Sequence, residues 1–130
     1  MTNLHVFPDN SDFVGGSADF IADVAARAIA ERGRFTLALS GGGTPKPIYA
    51  RLATADYRNR IDWGKVHIFF GDERCVPPED ARSNYRMVRE ALLDHSRIPP
   101  ENIHRIHGED DPAREALRYE QDIARLYRSA

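Results

Sequence analysis

The chain has 130 residues, 42% of them hydrophobic and 29% charged, which fits one globular domain with a real core. Its 18 basic and 20 acidic residues leave a net charge of -2, so no broad field recommends nucleic acid or an anionic membrane as a partner, and any anion site must be local. The opening "MTNLHVFPDNSDF" has neither a basic leader nor an apolar stretch, no segment approaches the roughly 18 apolar residues that span a bilayer, and Cys75 has no second cysteine to pair with, so a cytoplasmic location is expected.

In chain order, "LHVF" (4–7) predicts a first short strand, closed by Pro8 and Asp9. Ser17 is the expected N-cap of a helix to Arg32, with Phe20, Ile21, Val24, Ala25, Ala28 and Ile29 as its apolar stripe and Gly33 as its stop. "FTLALS" is β-rich and apolar on nearly every residue, as a parallel strand covered on both faces would be, and glycines follow at its carboxyl end. Thr44 is expected to cap the next helix, with Pro45 and Pro47 in the first turn, where a missing N–H does no harm, and with Ile48 and Leu52 on one face. "KVHIFF" predicts another buried strand, ending in the long polar loop "GDERCVPPEDARSNY". Ser83 or Asn84 then caps a helix in which Tyr85, Val88 and Leu92 line up. After Pro99 and Pro100, "IHRI" (103–106) predicts a short strand, and Asp111 and Pro112 open a last helix.

The order β-α-β-α-β-α-β-α with buried strands implies an α/β fold, a doubly wound and largely parallel sheet flanked by helices. In such sheets ligands sit beyond the carboxyl ends of the strands. The glycine loop and the segment Asp72, Glu73, Arg74 both follow strands, so one shared site is expected on that side.

"SGGGTPK" is neither the P-loop nor the dinucleotide pattern. A strand, three glycines, a Thr and a helix start still supply converging backbone N–H groups and the positive end of a helix. By spacing alone, a phosphate seat and a tight structural turn remain equal readings. Asp72 and Glu73 are adjacent, so they point to opposite faces, and only one would reach a substrate. Arg74 offers a permanently charged fork for a phosphate or an oxyanion, with a surface ion pair as the plainer alternative. His104, His107, Glu109 and Asp110 lack the spacing of a metal site, because strand positions three apart diverge. His67 reads as a satisfied core histidine, Cys75 as an inert small residue, and Arg114, Arg118 and Arg125 as a solvated helix face.

Taken together, "LALSGGGTPKPIYARLA", "WGKVHIFFGDERCVPPEDARSNYRMVREALL" and "IPPENIHRIHGEDDPAREALRYE" resemble the 6-phosphogluconolactonase family in order and spacing over nearly the whole chain. The resemblance implies a fold similar to that of the glucosamine-6-phosphate deaminases. It also implies hydrolysis of 6-phosphoglucono-1,5-lactone to 6-phosphogluconate in the oxidative pentose phosphate pathway, with no metal or organic cofactor. By position it makes Ser40, Gly41, Gly42, Gly43 and Thr44 the phosphate loop, whose commoner form is Ser-Gly-Gly-Ser-Thr-Pro; here Gly43 replaces the second serine. Asp72, Glu73 and Arg74 match the Asp-Glu-Arg segment at the substrate, Asp72 and Arg74 as catalytic groups and Glu73 as a binding group. Ser83 and Asn84 match the family's Ser-Asn. The deaminases carry Asp-Glu-Tyr, so Arg74 favours the lactonases.

Family members run to nearly twice this length. The Gly-x-Asp-Gly-His segment that brings their general-base histidine has no counterpart in residues 1–130, so that histidine is expected beyond Ala130. The chain therefore resembles the amino-terminal half of the enzyme, a single sugar-phosphate-binding domain cut short. A half sheet would leave an unpaired parallel edge open to self-association or to a partner segment. Two alternatives stay open at this point: a non-catalytic sugar-phosphate binding module and a deaminase-like enzyme.

Overall fold

A computed structural model describes residues 4–128. Ala130, past which the general-base histidine is expected, lies outside the described residues. The elements are α1 (Asn10–Arg32), β1 (Phe35–Leu39), α2 (Lys46–Leu52), α3 (Ala55–Arg58), β2 (Val66–Phe70), α4 (Asn84–Ala91) and α5 (Pro112–Arg128), with short 3-10 turns at Trp63–Lys65, Leu93–His95 and Pro100–Asn102. The two strands are parallel and in register from Phe35 opposite Val66 to Leu39 opposite Phe70. A single parallel bridge from Ile68 to Ile103 lies on the other side of β2, and His104 N–H donates to the Ile68 carbonyl at 2.8 Å.

The parallel sheet and the helices on its two faces match the expected fold class. Side chains alternate across a strand. Phe35 and Leu39 of β1 and Val66, Ile68 and Phe70 of β2 enter a core shared with Ala18, Ala22 and Ala25 of α1, Leu52 of α2 and Val88 of α4. Thr36, Ala38, His67 and Phe69 take the opposite face, where α5 is the one helix among the described residues: the Tyr119 ring meets Phe69 edge-on at 6.2 Å, and Tyr127 Oη is 3.5 Å from Thr36 Oγ1. That single helix does not cover the whole face. Ala38 is exposed, so the expectation that β1 is covered on both sides is corrected.

Four other expectations change. Residues 4–7 form no strand; Leu4 and Val6 are 83% and 80% exposed, while Phe7 packs edge-on against Phe13 at 6.0 Å and lies over Gly16. A strand persists only where a ladder satisfies its backbone, and these residues join none. The first helix begins at Asn10 rather than after Ser17, because Asp9 Oδ1 accepts the Asp12 N–H at 2.8 Å and caps it. Its buried face is Val14, Ala18, Ala22, Ala25 and Ala28, a row of small residues that admits close packing, and Phe20 is 56% exposed. Pro45, not Thr44, is the N-cap residue of α2. "IHRI" contributes a bridge at Ile103 and no strand, since Arg105 turns away to pair with Glu109.

The remaining boundaries agree with the sequence. Gly33 ends α1 at φ 79°, Ser83 caps α4 by accepting the Arg86 N–H, and Val88 and Leu92 are fully buried. Asp111 opens α5 by accepting the Arg114 N–H at 3.1 Å. Among the described residues no helix is long and apolar enough to cross a membrane.

Candidate functional site

The parallel register brings the carboxyl ends of both strands side by side, and the Gly71 N–H donates to the Leu39 carbonyl at 3.0 Å where the ladder ends. The glycine loop and the Asp72 loop therefore leave the sheet together.

The glycine loop is fixed at its start by a residue that the sequence reading passed over. Tyr49, buried on α2, accepts the Ser40 N–H at 3.0 Å and donates its hydroxyl to the Ser40 carbonyl at 2.8 Å. Burial pushes the Tyr49 phenol above its usual range, so it stays a neutral two-way partner. Its place beside Ile48 on the buried side of the helix was the available signal. From that fixed point Gly42, Gly43 and Thr44 run exposed, with Gly42 at φ 100°. They are what a backbone seat for a phosphate requires: accessible N–H groups with little side chain above them.

The second loop is built by its side chains. Glu73 Oε1 accepts the backbone N–H groups of Arg74 at 2.8 Å and Asn84 at 2.7 Å, while Oε2 accepts the Tyr85 N–H at 2.9 Å and the Ser83 hydroxyl at 3.0 Å. The carboxylate thus sits at the first turn of α4, where backbone donors and the helix dipole favour an anion. With four donors on its two oxygens, it holds protein, not solvent. Ser83 and Asn84 are buried, at 3% and 5% exposure.

Asn84 joins the two loops. Its Nδ2 donates to the Asp72 carbonyl at 3.3 Å and to Asp72 Oδ1 at 3.1 Å, while its Oδ1 lies where a Cβ on Gly41 would stand. Only glycine leaves room there. Asp72 itself is exposed, and Arg74 makes no hydrogen bond or ion pair through its guanidinium within the described residues. Of the predicted site residues, then, Gly42, Gly43, Thr44, Asp72 and Arg74 face outward at one end of the sheet, and Ser40, Gly41, Glu73, Ser83 and Asn84 hold them in place. The histidine expected beyond Ala130 is the one member of the expected site that the described residues, 4–128, do not reach.

Three histidines near the sheet and α5 separate into two groups. His104 stacks on Phe69 with ring centres 4.3 Å apart, and its Nδ1 lies 3.2 Å from Asp122 Oδ2 and its Nε2 3.3 Å from His67 Nδ1. Burial, with His104 and Arg34 nearby, holds His67 below its ordinary value, so this imidazole is kept neutral inside a polar chain on the α5 face. His107 instead turns toward Asp110 Oδ2 at 3.2 Å and Glu115 Oε1 at 3.7 Å. His107, Asp110 and Glu115 are the grouping whose ligand atoms come close enough for a metal ion, yet the Arg118 guanidinium already lies on both Glu115 oxygens. Arg118 is thereby removed from the expected solvated face. A cavity of about 460 Å³ opens beside it, lined by Glu73, Cys75, Ile106, Gly108, Tyr119 and Ile123 among others.

Comparison with known proteins gives the family. The family model described as glucosamine-6-phosphate isomerases/6-phosphogluconolactonase matches residues 8–130. A 6-phosphogluconolactonase of Nostoc sp. is 43% identical over 128 residues, covering 98% of this chain and 52% of its own length. One from Haemophilus influenzae is 47% identical over 88 residues, covering 68% and 38%. The crystal structure of 6-phosphogluconolactonase from Thermotoga maritima superimposes with a TM-score of 0.84 at 27% identity, over 94% of this chain and 53% of that one. The chain spans about half the length of the full relatives it matches. From residue 8 onward, through both loops at the carboxyl end of the sheet, the chain belongs to the glucosamine-6-phosphate isomerase/6-phosphogluconolactonase family.

Proposed function

We propose that residues 1–130 form the substrate-holding half of a 6-phosphogluconolactonase, which hydrolyses 6-phosphoglucono-1,5-lactone to 6-phosphogluconate in the cytoplasm. The observation that carries this reading is the pairing of two unlike loops at one end of the sheet: exposed backbone donors at Gly42 and Gly43, and an Arg74 guanidinium with no protein partner among the described residues. A sugar phosphate has a dianion at one end and, as its lactone, a carbonyl at the other. The glycine loop takes the 6-phosphate, and Arg74 lies toward the carbonyl.

The chemistry follows from charge. Water attacks the lactone carbonyl, negative charge builds on its oxygen, and a fixed guanidinium stabilises that oxyanion more than it does the neutral ester. Holding the phosphate far from the reacting carbon turns binding into orientation. Asp72, with one carboxylate oxygen on Asn84, is the anionic group beside Arg74 and orients the attacking water. Glu73, Ser83 and Asn84 act by fixing the loop. The histidine base expected beyond Ala130 belongs to the part of the relatives that these residues do not cover. The far edge of β1, which pairs with no strand among the described residues, is the surface through which a second segment or a second copy would add to the sheet.

The direct test is lactone hydrolysis by the 130-residue chain, corrected for the spontaneous reaction, run beside calorimetry with 6-phosphogluconate and sedimentation of the same sample. Binding is expected, and Arg74→Ala should weaken it about tenfold, the scale of one charge-assisted pair. Binding without turnover favours the second reading, a sugar-phosphate binding module, for which the span of half the relatives' length speaks. No binding sinks both.

A further inference from the structure

Arg74 owes its position to neighbours in the backbone, since its side chain has no partner among the described residues to hold it. The Val76 N–H donates to the Arg74 carbonyl at 2.8 Å, closing a tight turn around Cys75. Against the outside of that turn lies Gly108. A Cβ at Gly108 would overlap the Arg74 carbonyl oxygen and stand 2.7 Å from the Val76 carbonyl oxygen. Gly108 does not have positive φ, so the glycine is required for room, not for torsion.

The segment that carries Gly108 is itself tied down. The Arg105 guanidinium grips Glu109 with two bonds of 2.9 Å, and the Gly108 and Asp110 N–H groups donate to Ile106 and His107 carbonyls at 3.0 and 3.1 Å. Glu115, 4% exposed on α5, accepts the His107 N–H at 2.6 Å, and Arg118 bridges from Glu115 Oε2 at 2.7 Å to the Arg105 carbonyl at 3.0 Å. One turn along α5, the Tyr119 hydroxyl accepts the Phe70 N–H at 2.7 Å and donates to the His104 carbonyl at 3.0 Å, which fixes the helix to the end of β2. Hydrogen bonds of 2.6 to 3.1 Å thus tie the segment that carries Gly108 to α5 and the end of β2.

We propose that residues 105–110 are a strap that sets the direction of Arg74, with Gly108 as its contact and Glu115 and Arg118 as its anchor. The proposal rests on the reading of Arg74 as the group that meets the substrate. Gly108, Glu115 and Arg118 touch no substrate; they are positioning residues. A carbonyl displaced at Arg74 swings the long side chain attached to the same residue, and small misplacements of a catalytic group are costly.

The test is a double-mutant cycle read by 6-phosphogluconate binding, together with hydrogen exchange at the Val76 amide. Gly108→Ala is expected to weaken binding about tenfold, the worth of the Arg74 contact. It should weaken it no further in a chain already carrying Arg74→Ala, whereas mere damage to the fold would cost the same in both backgrounds. Val76 exchange should accelerate while Val88, deep in α4, stays protected. Glu109→Gln loosens the strap without adding an atom and should give a milder loss of the same kind, which keeps the test available if Gly108→Ala does not fold. Unchanged Val76 exchange, or a Gly108→Ala cost that persists without Arg74, overturns the proposal. If the unmutated chain does not bind 6-phosphogluconate, the reading of Arg74 falls, and the exchange at Val76 then decides by itself whether the strap holds the loop.

Discussion

The two loops that leave the sheet together are made rigid by opposite means. The loop after β1 is held only at its start, by the Ser40 backbone on the Tyr49 hydroxyl and by Gly41 against Asn84, and beyond it offers bare peptide groups. The loop after β2 is held at both ends by side chains, with Glu73 serving four donors and Asn84 reaching Asp72, and by backbone turns between them. A loop that recognises a phosphate through its backbone must keep side chains away. A loop that presents Asp72 and Arg74 must commit other side chains to support. The difference predicts where substitution hurts folding and where it hurts only binding.

The largest effect is expected at Glu73. Glu73→Ala strands the Asn84 and Tyr85 N–H groups and the Ser83 hydroxyl at the head of α4, with the Arg74 N–H in the loop, and should cost about 3 kcal/mol in urea unfolding. Water filling the gap would lower that loss, and a value below about 1 kcal/mol would mean that Glu73 does not hold the loop. Next comes the seam between the loops. Gly41→Ala drives a methyl into Asn84 Oδ1 and should cost about 2 kcal/mol, most of it returned when Asn84→Ala is added to the same chain. A cost that does not return would show the strain to lie in the glycine backbone instead.

The sequence made the second loop's residues visible and their division of labour invisible. Spacing placed Asp72, Glu73 and Arg74 after a strand and Ser83 or Asn84 at a helix start, and Ser83 is the cap. It did not show that the helix start folds back onto Glu73, because a contact between positions 73 and 84 leaves no period in the chain. Alternation set Asp72 and Glu73 on opposite faces, yet both carboxylates meet Asn84, Asp72 through its side-chain amide and Glu73 through its backbone N–H. Tyr119 and Glu115 escaped for the same reason. On an amphipathic helix, a tyrosine that fastens β2 looks like any other apolar position. The false strand at 4–7 and the late start of α1 meet at one contact: Phe7 lies over Gly16 and packs against Phe13 of the helix's first turns. The packing of Phe7 depends on tertiary structure, which single-residue propensities do not contain.

The smallest effect sharpens the contrast within the glycine loop itself. Gly43 has open space where a Cβ would stand and no positive φ, whereas Gly42 has the same open space at φ 100°. Gly43→Ser should therefore fold as well as the parent or gain about 0.5 kcal/mol, because it removes freedom from the unfolded chain only. Gly42→Ser, one residue away, should lose about 1 kcal/mol to backbone strain. The serine at 43 also restores a hydroxyl beside the proposed phosphate seat, and one added neutral donor should tighten 6-phosphogluconate about threefold. If Gly43→Ser leaves affinity unchanged while remaining folded, the phosphate does not lie over that residue, and the seat must be drawn closer to Ser40 and Tyr49.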